Sequence, residues 1–151
     1  MTVFKKSISN KLKNLILDSL SEEDRIARHF INHATSLAKQ SHHNGVISLQ
    51  IILRDGELST ILLSGDQPIK TISLEEIPLF FADRFTASLI GRSVVEQKLK
   101  SYFKTFENQL PSKPIGIRMF LVKEENVKIY TIGTQNASEV LLSEFITFFK
   151  P

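Results

Sequence analysis

The chain has 151 residues, no cysteine, 42% hydrophobic and 23% charged content, the balance of one globular domain and not of a disordered chain. The absence of cysteine excludes disulfides, thiolate metal sites, cysteine nucleophiles and thiol redox chemistry. A net charge of +3 is basic without the dense Lys/Arg stripe that makes counterion release a strong drive for nucleic-acid binding. No apolar run approaches the roughly 20 residues of a membrane span, and the first residues lack the apolar core of a secretory signal. A cytoplasmic protein with no transmembrane segment is expected.

Residues 1–20 read as a basic amphipathic arm. Phe4, Ile8, Leu12, Leu15 and Ile16 recur at helical spacing, flanked by Lys5, Lys6, Lys11 and Lys13. The arm has three open fates: docking on the domain or a partner, lying on an anionic membrane surface, or serving as a removable targeting peptide. Residues 21–151 are expected to form a single α+β domain. The acids Glu22, Glu23 and Asp24 suit the positive end of a helix dipole, and Ile26, Phe30, Ala34 and Leu37 extend one apolar stripe to about Gln40.

Val46 to Arg54 alternates apolar and polar residues, and Asp55-Gly56 fits a two-residue type I′ turn. The hairpin register that follows sets Arg54 opposite Glu57, Leu53 opposite Leu58 and Leu49 opposite Leu62. A turn at Gly65–Pro68 leads to a short strand over 69–73. Ser73-Leu74-Glu75-Glu76 has a capping pattern, but Pro78 delays the helix to about Leu79, with Phe81, Phe85 and Leu89 as its inner face. Gly91-Arg92 interrupts that stripe, and Ser93 caps a further helix carrying Val95, Leu99, Phe103, Phe106 and Leu110.

After the stiff Pro111–Pro114 linker, Ile115 to Leu121 and Val127 to Ile132 form a second hairpin. Asn136 to Glu139 then caps a final helix to about Phe149 with Leu142, Phe145, Ile146 and Phe149 on a wide apolar face. A face wider than about 100° needs cover on more than one side. It is wedged between layers of its own domain or lies in a dimer or partner interface. The fold class that follows is α+β: an antiparallel or mixed sheet of about five strands, built from two hairpins plus a short strand, with helices mainly on one face.

The histidines cluster at His29, His33, His42 and His43. His29 and His33, at i and i+4, have the spacing of two metal ligands, but no third ligand is evident and no metal or other cofactor is expected. Helical-wheel counting puts His33 within the buried stripe, where a core or boundary histidine is the plain reading. His42 and His43 suit the carboxyl end of the helix. Arg28-His29-x-x-x-His33 resembles the arginine–polar–histidine signature of the metal-independent HEPN ribonucleases. That resemblance implies His33 as the group that moves the 2′-hydroxyl proton and Arg28 as the stabiliser of the pentavalent phosphate. The family is all-helical, however, and two hairpins oppose it.

The order helix, hairpin with extra strand, helix, hairpin, helix over residues 22–149 resembles the small chaperones of bacterial secretion systems and the roadblock and longin domains. Those families act by binding protein and often dimerise, although the secretion chaperones are typically acidic and this chain is basic. The functional expectation is a non-catalytic interaction domain, adaptor- or chaperone-like. It would self-associate as a homodimer or bind a protein partner through Phe4, Ile8, Leu12, Leu142, Phe145, Ile146 and Phe149, and no small-molecule ligand can be inferred. The alternatives are nucleic-acid or anionic-surface binding through Lys5, Lys6, Lys11 and Lys13, with Lys98, Lys100 and Lys104 on a later helix, and the Arg28/His33 ribonuclease.

Overall fold

The computed structural model describes residues 22–40, 45–123 and 126–147. Helix α1 (Glu22–Lys39) begins with its three acids in the first turn and buries Ile26, Phe30, Ala34 and Leu37, the stripe that the spacing predicts. Strands β1 (Ile47–Arg54) and β2 (Glu57–Ser64) form the first hairpin. Its register is the expected one, with Arg54 facing Glu57, Leu53 facing Leu58 and Leu49 facing Leu62. Asp55 and Gly56 both take positive φ, 52° and 79°, as a type I′ turn requires. Strand β3 (Gln67–Thr71) starts two residues earlier than expected and runs beside β2.

The second hairpin comprises β4 (Ile115–Lys123) and β5 (Asn126–Ile132). It joins the first through an antiparallel β1–β4 pairing that sets Leu49 beside Met119 and Ile51 beside Ile117. One six-stranded antiparallel sheet results, in the order β3-β2-β1-β4-β5-β6. Its sixth strand, β6 (Glu139–Val140), replaces the expected helix cap. The physical reason lies in β5, whose outer edge would otherwise leave backbone groups unpaired. Ile129 and Tyr130 pair there with Val140 and Glu139, and the Thr131 N–H donates to the Ser138 carbonyl.

Between the hairpins the expected helix from Leu79 is instead two pieces. A 3₁₀ turn (Ile77–Phe80), with Pro78 in its first turn, buries Ile77 and Phe80. Helix α2 (Arg84–Ser88) then restarts after Asp83, whose carboxylate accepts from the Thr86 N–H at 2.8 Å. The restart rotates the chain, so Ala87 points inward while Phe85 and Leu89, expected on the inner face, are 74% and 70% exposed. Helix α3 (Arg92–Lys104) buries Val95, Leu99, Tyr102 and Phe103.

Helix α4 (Leu142–Thr147) begins later than the sequence predicts because β6 takes its first residues. The Glu23 carboxylate of α1 accepts the Ser143 N–H at 3.0 Å, which satisfies a free donor at the start of α4. Phe145 is wholly buried, 5.2 Å from Phe81 and 5.5 Å from Tyr102 between ring centroids.

The core fills one side of the sheet. Leu49, Ile51, Leu62, Ile117, Met119 and Ile129 meet Phe30, Phe80, Leu99, Phe103 and Phe145 in a single cluster. Phe80 is its pivot, 5.7 Å from the Phe30 ring and edge-on to His33 at 4.6 Å.

Candidate functional site

Alternate residues of a strand point to opposite faces, so the register assigns every strand residue to the core or to the other side. Opposite the core lie Ile52, Ile61, Leu63, Phe120, Tyr130 and Ile132, and Val122, at the β4 bulge, is 48% exposed. None belongs to the core cluster or to the partly buried residues packed on it. Among the described residues no helix packs over this face. A sheet with one wet face normally alternates cleanly between apolar and polar residues, whereas β4 carries Phe120 outward as well as Ile117 and Met119 inward, and leaves Val122 48% exposed at its bulge.

Arg118 stands at the centre of this open face. Its Nε donates to Ser48 Oγ at 2.9 Å and its Nη2 to the Gly65 carbonyl at 2.6 Å, while Nη1 lies 3.8 Å from Asp66 Oδ1. The guanidinium carbon sits 4.9 Å from the centroid of Phe120, whose ring meets Tyr130 edge-on at 6.1 Å. The cation therefore ties β1, β4 and the β2–β3 turn together while the aromatic pair stands up from the sheet. Nothing in the sequence reading singled out these residues. The signal was present, since apolar residues at both parities of one strand imply that both faces are meant to be covered.

A second apolar site lies on α2. Phe85 and Leu89 are i and i+4 neighbours on one side of the chain, and Val94 follows at 44% exposure. Local hydrogen bonds cap this short helix at both ends. Thr86 gives Asp83 both its N–H and, at 3.0 Å, its hydroxyl, and the Ser88 hydroxyl donates to the Phe85 carbonyl at 2.6 Å. Arg92 reaches back to Glu75 at 3.2 Å. The Thr86 N–H, then its hydroxyl, hold the Asp83 carboxyl below the usual carboxylate range. From Val94 a groove of about 480 Å³ runs past Gln97, Lys98 and Ser101 to Thr147.

The residues singled out from the sequence are distributed as follows. Phe145 and Ile146 are buried within the chain's own fold, so for them the wedged alternative holds; Leu142 is half-buried and its neighbour Leu141 is 57% exposed. Phe4, Ile8, Leu12, Lys5, Lys6, Lys11, Lys13, His42, His43 and Phe149 lie outside the described residues. Lys100 is paired with Glu96 at 2.9 Å. Arg28 is exposed, whereas His33 turns inward against Phe80; five residues set the two about 140° apart around α1. The helical-fold requirement of the ribonuclease resemblance meets a six-stranded sheet.

His33 Nε2 is buried with no hydrogen-bond partner. Burial, more than the charges nearby, holds this imidazole below its ordinary value of 6.5; Glu76 pulls it up and Lys70 pushes it down. The unfolded chain therefore takes a proton before the folded one does. The stability contributed by the neutral ring is complete above 6.5 and falls as the pH drops below it. Denaturation midpoints measured from pH 5 to 8 are expected to fall more steeply on the acid side for wild type than for His33→Gln. Parallel curves would show that the ring's burial costs nothing on protonation. Among the described residues no group of three His, Asp or Glu side chains could hold a metal.

A smaller cleft of about 150 Å³ is lined by Glu23, Asp24, Lys128, Glu139 and Leu142 among others. No described helix is long and apolar enough to cross a membrane. Comparison with protein-family models, curated proteins and solved structures gave no match to this chain.

Proposed function

We propose that the chain is a protein-interaction domain, adaptor- or chaperone-like, that works by presenting apolar surface to another polypeptide and associates with itself. The observation that carries this reading is the Phe85–Leu89 pair, 74% and 70% exposed on a helix capped by Asp83. Burying a Phe or Leu side chain contributes roughly 1.5–3 kcal/mol. A short capped helix that holds two such groups in water leaves that free energy to be released on contact with a partner. Single exposed apolar residues are ordinary, but large neighbouring ones mark contact sites. The helix–hairpin–helix–hairpin–helix order, resembling that of protein-binding chaperone and roadblock-type domains, supports the same reading at the level of fold alone.

The test is a display library of random peptides panned against the full chain, with affinities of the selected peptides measured for wild type and for Phe85→Ser/Leu89→Ser. Apolar peptides are expected to bind wild type and to lose at least tenfold on the double variant, whose melting temperature should stay unchanged because both side chains are exposed. Equal affinities would overturn this site. Binding that instead favours a random nucleic-acid duplex and falls steeply with salt would favour the basic arm as the working surface.

A further inference from the structure

We infer that the open face of the sheet is covered by a second copy of this chain, forming a two-fold dimer of stacked sheets. The inference concerns self-association and rests on the interaction-domain reading, but it uses a different surface from Phe85 and Leu89.

Four observations lead to this occupant. The first is composition: the outward register positions carry six apolar side chains, Ile52, Ile61, Leu63, Phe120, Tyr130 and Ile132, of which Leu63 is buried, and Val122 adds a seventh at the β4 bulge; a solvated face would alternate to polar. Val122 and Tyr130 remain 48% and 37% exposed.

The second is area. Strands about 4.8 Å apart with a rise of about 3.3 Å per residue give this sheet a flat footprint of roughly 600 Å², and side-chain relief raises the accessible surface further. A standard stable interface takes about 800 Å² from each partner. The whole sheet face thus approaches the size a dimer needs and is broader than one short peptide covers.

The third is charge. The outward-facing ions are matched in sign: Arg54 faces Glu57 across the hairpin, Arg118 lies 3.8 Å from Asp66, and Lys128 lies 3.0 Å from Glu139. The whole chain carries +3, yet the described charges on this face pair off one to one. Two copies can therefore approach face to face without the repulsion their net charges impose elsewhere. The lysine-rich segment 1–20 finds no surplus of acid on it.

The fourth is relief. Gly116 sits low between Ile52 and Ile132, whereas Ser48, between Leu63 and Phe120, is fully buried beneath the Arg118 guanidinium. The T-shaped Phe120–Tyr130 pair rises beside them. In an isologous contact each surface must be its own complement. A face that carries both a raised ring pair and a low glycine has the kind of relief that condition needs, and stacked sheets lie about 10 Å apart.

The experiment uses the full chain. Light scattering on wild type is expected to give twice the mass of one chain, and Val122→Lys/Tyr130→Lys, which sets like charges against each other across the two-fold, is expected to raise the dimer dissociation constant at least 100-fold. Both positions are exposed, so the variant should melt like wild type. The absence of native cysteine allows a single nitroxide on Gln50→Cys, at the middle of the face. Stacked sheets predict a label-to-label distance of about 10–20 Å, a readout that stands even if the lysine variant misfolds.

A wild type that is monomeric at every concentration overturns the inference. So does a dimer that survives the lysines and holds its Gln50 labels far apart. A monomer in which a label at Gln50 lies against one at Leu12→Cys places residues 1–20 on the face and overturns it too. Peptide binding by the Phe85/Leu89 site is scored separately, so either proposal can fail alone.

Discussion

Truncating Phe80 to alanine is expected to destabilise the protein by about 3–5 kcal/mol, the usual range for a fully buried Phe. Phe80 has no solvent exposure and is held on a 3₁₀ turn whose following residue, Phe81, packs on Phe145. The Phe80 ring lies between Phe30 and His33 of α1. The turn is short and carries Pro78, so it cannot slide inward to fill the space that the ring leaves. Domains of this size are stable by roughly 5–15 kcal/mol. The variant should therefore lie near the unfolding threshold, with a denaturant midpoint far below wild type and an unchanged slope. A loss under about 1 kcal/mol would mean that α1 and the turn collapse onto the gap, contrary to the close packing inferred here.

Gly116→Ala is expected to be the other severe substitution. A methyl group at this position would strike the Ile51 carbonyl oxygen and crowd the Ile52 Cα, both backbone atoms of the neighbouring central strand. Backbone of a paired strand cannot rotate aside as a flexible side chain can, so β1 and β4 must separate locally. Overpacking of this kind costs about 1–3 kcal/mol and more where no relief exists. Gly91→Ala is the matched control, since a methyl there meets nothing within 4 Å and the change should stay within about 1 kcal/mol. Chemical denaturation of both variants separates the two cases. Equal stabilities would show that the β1–β4 contact is looser than described.

The same two residues show what a reader of the sequence can and cannot obtain. Gly116 falls in a run of alternating residues that predicts a strand, but nothing local says that β1 of a distant hairpin lies against it. That contact forms between segments more than sixty residues apart. Phe80 lies two residues after Pro78, and the expectation of a helix from Leu79 failed because Asp83 restarts the helix by capping the Thr86 N–H. Once the restart moved, Phe85 and Leu89 turned from the core to solvent. The candidate site on α2 thus came from a local competition between caps that helical periodicity does not register.

The ends of the chain make the contrast from the other side. The wide apolar face of the last helix was legible as a demand for cover, and Phe145, against Phe81 and Tyr102, and Ile146 find it in the chain's own core. Which of two possible covers applied was not legible, because burial depends on what the rest of the fold places nearby.

By itself the sequence determined the α+β class, helix α1 with its stripe, and both hairpins, including the register across Asp55-Gly56. Each of these follows from side-chain periodicity and turn chemistry acting over fewer than twenty residues. Only the tertiary structure decided the β1–β4 junction, the added edge strand at Glu139–Val140, the inward fate of Phe145 and the outward fate of Phe85 and Leu89. These are choices between alternatives of similar local free energy. They are settled by long-range backbone pairing and by which apolar face reaches the shared core first.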